Sequence, residues 1–130
     1  GTARLAHELK TPVQVGENFS LPTAMATALE QGKPGYVMPD LERIGGVTGW
    51  RAAAGLAAAR GIKMSSHLFP EVSAHLLAAT PTGHYLEYVD WADVLLREPL
   101  KLVGGEAIVP DRPGHGMVWD ESAVKRFQLT

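Results

Sequence analysis

The chain has 130 residues, with 12 Lys and Arg against 14 Asp and Glu, 45% hydrophobic residues and no cysteine. That length suits one domain around one core, and the balanced charge gives no global pull toward nucleic acid or anionic lipid. Without cysteine there is no disulfide framework, thiolate metal site or cysteine nucleophile.

No apolar run reaches the roughly 18 residues of a membrane-spanning helix. Residues 1–10 have no signal-peptide pattern. The absence of cysteine suits a reducing cytoplasm, where the chain is expected to reside. Residues 1–10 read as the end of an amphipathic helix, with Leu5 and Leu9 four apart on one face. There is no initiator Met, so the chain reads as the C-terminal piece of a longer protein.

Residues 12–17 predict a strand whose alternation sets Val13, Val15 and Glu17 on one face. Residues 22–31 predict a helix packing through Ala24, Ala28 and Leu29, ended by Gly32, Pro34 and Gly35. Residues 36–40 predict the next strand, with Tyr36, Met38 and Asp40 sharing a face. Gly45 and Gly46 open a loop before a helix over 48–60. Its alanines and Leu56 suit close packing on a sheet, and Gly61 suits the position just past the helix.

Residues 62–67 predict the third strand, with Lys63, Ser65 and His67 on one face. A helix over 71–79 stops before Pro81. Residues 84–89 predict the fourth strand, with Tyr85, Glu87 and Val89 sharing a face. Beyond Trp91 the rhythm breaks into a turn-rich tail closed by a short charged segment over 121–126.

Four strands thus end on one ionisable side chain each: Glu17, Asp40, His67 and Glu87. Between them lie roughly 20 to 27 residues, which is the rhythm of strand–helix–strand units. In (β/α) barrels the C-terminal strand edge is where chemistry sits. About four units cannot close an eight-stranded barrel. The chain is either half a barrel or a small open α/β sheet.

Asp40 and His67 end successive strands, so their side chains can meet. A carboxylate on one imidazole nitrogen fixes the tautomer and leaves the other nitrogen as a general base. The plainer reading is that Asp40 caps the following loop and His67 is structural. Glu17 and Glu87 can each ligate a hard cation such as Mg²⁺, donate a hydrogen bond when protonated, or serve as solvated loop acids. One carboxylate is not a metal site, so Glu17 predicts ligands from outside this chain.

Other candidates carry less. Glu71 and His75 lie four apart on a helix, which suits an ordinary surface or interface. His84 begins a strand at the end away from Glu87, and His7 and His115 lie in terminal or turn-rich segments. The Gly45-Gly46-Val-Thr-Gly49 loop lacks the lysine and spacing of a phosphate fingerprint. Trp50, Trp91 and Trp119 read as packing residues.

Longer motifs sharpen this reading. Gly16-Glu-Asn18, Met38-Pro-Asp40, Ile44-Gly-Gly-Val-Thr-Gly-Trp50 and Met64-Ser-Ser-His-Leu-Phe69 closely resemble the mandelate racemase/muconate lactonizing enzyme family of the enolase superfamily. So do Ser73-Ala-His-Leu-Leu-Ala-Ala-Thr-Pro-Thr82, Leu86-Glu87 and Pro110-Asp-Arg-Pro-Gly114. The match runs from about residue 12 to 119 and covers only the C-terminal part of such enzymes.

The resemblance implies the C-terminal half of a modified TIM barrel over residues 1–99. It implies over 100–130 a return segment that packs on an N-terminal capping domain. It implies Glu17 as one carboxylate ligand of Mg²⁺, Asp40 and His67 as a catalytic dyad, and Glu87 as the acid on the substrate carboxylate. The reaction implied is Mg²⁺-assisted removal of the proton α to a carboxylate, above all racemisation of a 2-hydroxy acid resembling mandelate. Dehydration of acid sugars is the enzymatic alternative, and a non-catalytic scaffold the other.

The partners expected are a small carboxylate substrate, the capping domain and first half-barrel, and further copies in a homo-oligomer. Neither nucleic acid nor membrane is expected. The family's first two Mg²⁺ carboxylates and its Lys-x-Lys base have no counterpart here, so the chain alone is expected to be inactive.

Overall fold

A computed structural model describes residues 1–129. Helix α1 covers Thr2–Glu8, β1 Gln14–Val15, α2 Leu21–Gly32 and β2 Tyr36–Val37. Helix α3 covers Gly46–Ala59, β3 Lys63–Met64 and α4 Pro70–Ala78. After a 3₁₀ turn at Asp93–Leu95 come β4 Lys101–Val103, β5 Glu106–Ile108 and α5 Glu121–Phe127. Among the described residues no helix is long and apolar enough to cross a membrane.

Strands β1, β2 and β3 pair in parallel in chain order. Tyr36 lies opposite Gln14 and Lys63, and Val37 opposite Val15 and Met64. Side chains alternate along a strand, so Val15, Val37 and Met64 share one face. That face joins a core of Met25, Leu29, Trp50, Ala53, Ala57 and Met64, with Val15 packed against it. The helices therefore cover this face. Gln14, Tyr36 and Lys63 belong to the other.

The alanines of α3 bring its axis close to the sheet, as its composition predicts. Met25, Val37, Ile44 and Met64 are fully buried, each worth about 1.5–3 kcal/mol of apolar transfer. Helix α3 ends as Gly61 predicts. Its φ is +64°, Gly61 N–H bonds Ala58 C=O at 3.1 Å, and Ile62 N–H bonds Ala57 C=O at 3.0 Å. These two bonds are the paired closure of a Schellman motif.

Four expectations are corrected. Val15 does not share a face with Glu17, because Gly16 interrupts the alternation at φ +145°. A Cβ on Gly16 would lie 2.7 Å from Met38 N, so only glycine lets the two strands approach there.

The fourth strand is not regular. Met64 pairs in parallel with Gly83, and His84 N–H bonds Met64 C=O at 2.9 Å. Strict continuation would give Ser66 N–H to His84 C=O. Instead Ser66 N–H bonds Tyr85 C=O at 3.0 Å. One extra residue has entered the strand, which is a bulge. It leaves Tyr85 70% exposed and shifts Glu87 by one place relative to strict alternation.

The tryptophans also divide. Trp50 is buried and donates to Thr80 Oγ1 at 3.1 Å, but Trp91 is 72% exposed and Trp119 49%. The tail is more ordered than its turn residues predict: β4 and β5 form an antiparallel hairpin around Gly104 and Gly105. Asp120 caps α5, accepting from Ser122 and Ala123 N–H at 2.9 and 3.2 Å. Bonds to the Ser122 hydroxyl and to these amides hold its carboxyl below the usual carboxylate range.

Gly16→Ala is expected to destabilise the fold by about 1–3 kcal/mol from backbone conformation alone, with the steric contact adding to it. Denaturant unfolding of the variant measures this. An unchanged midpoint would mean that Gly16 is not a forced position.

Candidate active site

The register of β2 and β3 carries forward to the strand ends, where Asp40 pairs in parallel with His67. Asp40 is 3% exposed, and its two oxygens do separate work. Oδ1 accepts from the amides of Glu42 at 2.9 Å and Arg43 at 3.0 Å, capping the turn that leads to α3. Oδ2 lies 2.9 Å from His67 Nδ1. Asp40 therefore both caps the following loop and contacts His67. An ionised carboxylate only accepts, so Nδ1 is the donor, and in the neutral imidazole the lone pair then lies on Nε2.

His67 Nε2 lies 3.5 Å from Glu17 Oε2 and 4.0 Å from Glu87 Oε2. All four predicted residues thus meet around one imidazole. Each arrives by its own device. Asp40 and His67 follow strand alternation. Glu17 is turned in by Gly16, and Glu87 by the bulge before it. Two carboxylates within 4.0 Å of one nitrogen concentrate negative charge, which a cation or a proton relieves.

Glu17 is held from behind. Asn18 Nδ2 donates to Glu17 Oε1 at 3.1 Å, and Arg43 Nη1 donates to Asn18 Oδ1. Glu17 Oε2 takes no hydrogen bond in this network, and the side chain is 57% exposed. It fits a cation ligand supplying one oxygen. Among the described residues no group of three His, Asp or Glu side chains is placed to hold a metal, so the rest of any such site comes from elsewhere.

Below the dyad the inner face is polar. Ser65 Oγ donates to Gln14 Oε1 at 3.2 Å and lies 3.4 Å from His84 Nδ1. His84 stacks on Tyr36 with ring centres 4.9 Å apart. His84 therefore lies a layer beneath Glu87, as expected. The first residue after Glu87 is anchored: Tyr88 OH donates to Asp93 Oδ2 at 2.6 Å.

The remaining candidates fall outside the site. His75 Nε2 is 3.1 Å from His115 C=O, and Glu71 is buried on the same helix. They make an interface between α4 and the tail. Asn18, Arg43 and the Leu68 amide were not singled out from the sequence. Asn18 stood inside a quoted motif, whereas a backbone amide leaves no mark in the residue letters. The Leu68 amide donates to Glu87 Oε2 at 2.7 Å.

Comparison with known proteins gives this geometry a family. The family described as enolase C-terminal domain-like matches residues 1–123. The L-talarate/galactarate dehydratase of Salmonella typhimurium is 35% identical over 130 residues, which are 100% of this chain and 33% of that protein. An enolase structure from the alphaproteobacterium bal199, with bound magnesium, is 54% identical at a TM-score of 0.93, covering 96% of this chain and 34% of that one. A Bradyrhizobium enolase complexed with magnesium and mandelic acid is 44% identical at a TM-score of 0.93, covering 99% and 36%.

The chain spans about a third of the length of these relatives. Its fold is that of the C-terminal half of their TIM barrel, so the small open sheet is set aside. The likeness extends across the superfamily and reaches a dehydratase as well as a protein that holds mandelic acid.

The bond to Asp93, with burial and the charges of Asp93, Asp90 and Glu71, pushes the Tyr88 phenol from 10.0 up to about 12. A raised value means the contribution to stability is whole below pH 10 and is lost as pH rises through about 12. Tyrosinate absorbance is expected to show one late-titrating group that Tyr88→Phe removes. An unchanged titration in that variant would assign the late group elsewhere.

Proposed function

Because the chain belongs to the enolase C-terminal domain-like family, we propose that it carries half the active site of an enzyme that removes the proton α to a carboxylate with the help of Mg²⁺. The observation that carries this is the 2.9 Å Asp40–His67 pair, whose free Nε2 opens toward Glu17 and Glu87. Residues 1–99 are the half-barrel and 100–130 the return toward a capping domain. The hairpin that starts at Lys101 supports this division. The pairing of Leu96 with Trp119 ties the return segment back to the end of the half-barrel.

His67 Nε2 takes the α-proton. The C–H electron pair moves toward the substrate carboxylate, which gains a second negative charge as an enediolate. Asp40 holds the imidazole in the tautomer that accepts and stabilises the imidazolium that results. Glu87, protonated, donates a hydrogen bond to the carboxylate where the charge develops. Mg²⁺, when bound by Glu17 and by carboxylates from the preceding half-barrel, would supply electrostatic stabilisation of the same charge.

Racemisation of a 2-hydroxy acid is the first reading. It needs a second base on the opposite face, which a preceding half-barrel would carry. The mandelic acid held by the Bradyrhizobium relative supports it. Dehydration of an acid sugar is the second, supported by the Salmonella dehydratase; there the proton loss is followed by departure of a β-hydroxyl. Supplying the complete protein with mandelate enantiomers and with aldarates separates the two. Mandelate inversion supports the first reading, and keto-acid product from an aldarate supports the second. Absence of both products would withdraw both substrate readings, and no turnover of any carboxylate would leave a scaffold.

His67→Asn keeps the approximate shape and removes the proton acceptor. Racemisation is expected to fall by about 10²–10⁴ in both directions, a usual range for losing a general base. Solvent deuterium is expected to enter only the enantiomer that faces the opposite base. Equal loss of exchange from both enantiomers, with the fold intact, would refute two opposed bases.

Glu17→Gln in the complete protein is expected to weaken Mg²⁺ binding at least about tenfold. The isolated 130-residue chain should bind it no tighter than about millimolar, because one carboxylate does not replace enough of its hydration shell. Calorimetry reads both. Micromolar binding by the isolated chain would sink the shared-site assignment.

A further inference from the structure

Glu87 stands at the end of an irregular strand, yet it is held at two points, backbone and carboxyl, by residues without an assigned role. Its backbone N–H donates to Ser66 Oγ at 2.9 Å. Its Oε2 accepts the Leu68 amide at 2.7 Å. That amide belongs to a strained turn: Leu68 and Phe69 have φ of +51° and +48°. Left-handed backbone is unfavourable for any residue that carries a Cβ. Strain of this kind persists only where surrounding contacts impose it.

Those contacts come from Ser73. Its hydroxyl donates to Leu68 C=O at 3.0 Å, and its amide bonds Phe69 C=O at 2.8 Å. Ser66 and Ser73 are both fully buried, at 1% and 0% exposure. Neither touches the open part of the site. A buried hydroxyl replaced by a methyl group leaves its backbone partner unpaired.

The geometry points to Ser66 and Ser73 as positioning residues for Glu87, which together make Oε1 the oxygen that donates to substrate. Ser66 secures the backbone where the bulge ends. Ser73 holds the turn that aims the Leu68 amide. With Oε2 committed as acceptor to that amide, a protonated carboxyl carries its hydrogen on Oε1. This deepens the proposed function and rests on it for the donor role of Glu87. The clamp itself is independent of the reaction.

The test uses the complete protein and two readouts. The first is amide hydrogen exchange at Leu68. Glu87→Ala and Ser73→Ala are each expected to speed it about tenfold or more, the order expected from losing one charged or buried hydrogen bond. Unchanged exchange in either variant would overturn the clamp, whatever reaction the enzyme performs.

The second is steady-state kinetics on whichever substrate turns over. Ser66→Ala and Ser73→Ala are each expected to lower kcat about tenfold with KM changed less than about threefold, because an interaction made mainly in the transition state is misaimed. Losses confined to KM, or kcat intact despite faster Leu68 exchange, would overturn the positioning role. Absence of turnover on any carboxylate, with Leu68 exchange responding as expected, would count against the proposed function and the donor role of Glu87 while leaving the clamp in place.

Discussion

The parallel register of β2 and β3 is the constraint on which the site rests. Tyr36 opposite Lys63 fixes Asp40 opposite His67 four residues later. A slip of one residue would turn one of the pair onto the helix face. The register is secured by burial of Val37 and Met64 on that helix face. A buried Asp40 without donors would be costly. It receives three, from two backbone amides and one imidazole. Two of these come from the turn into α3, so the start of that helix and the orientation of the His67 imidazole share one side chain.

The two faces of the sheet divide the tasks. The helix-facing side is apolar and close-packed, with small α3 residues under Met64 and Trp50. The other side carries Gln14, Ser65 and His84 in a hydrogen-bonded layer beneath the dyad. The loops at the strand ends are also tied to one another. Leu21 N–H bonds Arg43 C=O at 3.0 Å, and Arg43 reaches Asn18. The loop bearing Glu17 is thereby anchored to the loop that follows Asp40.

Much of this was legible in the residues. The helical segments over α2, α3 and α4 announced themselves by apolar spacing and by Gly61 and the prolines at their ends. The four strand-end side chains were legible because each closes an apolar run. Their facing was not, for two of the four. Alternation assigned Val15 to the side of Glu17, but Gly16 takes a backbone shape that alternation does not describe. Alternation set Tyr85 beside Glu87 on the inner face, and the bulge left Tyr85 in solvent. The hairpin over residues 101–108 was hidden because its strands are short and mostly exposed, with little of the alternating burial that marks a strand. Trp91 and Trp119 do not pack within the described residues as Trp50 does, because residue type carries no record of what stands nearby.

The extra residue in the fourth strand also bears on how such a site changes over generations. Most substitutions along 84–88 would leave the facing of the backbone alone. Loss of a single codon between Met64's partner Gly83 and Glu87 would remove the extra residue and restore strict pairing with β3, with Glu87 still opposite His67. Gain of a further residue there, or closure of the bulge at unchanged length, would instead carry Glu87 to the helix side and bring the Leu86 side chain into its place. Facing at this position thus tolerates one loss and not one gain, so that length as well as identity decides which group stands beside the imidazole.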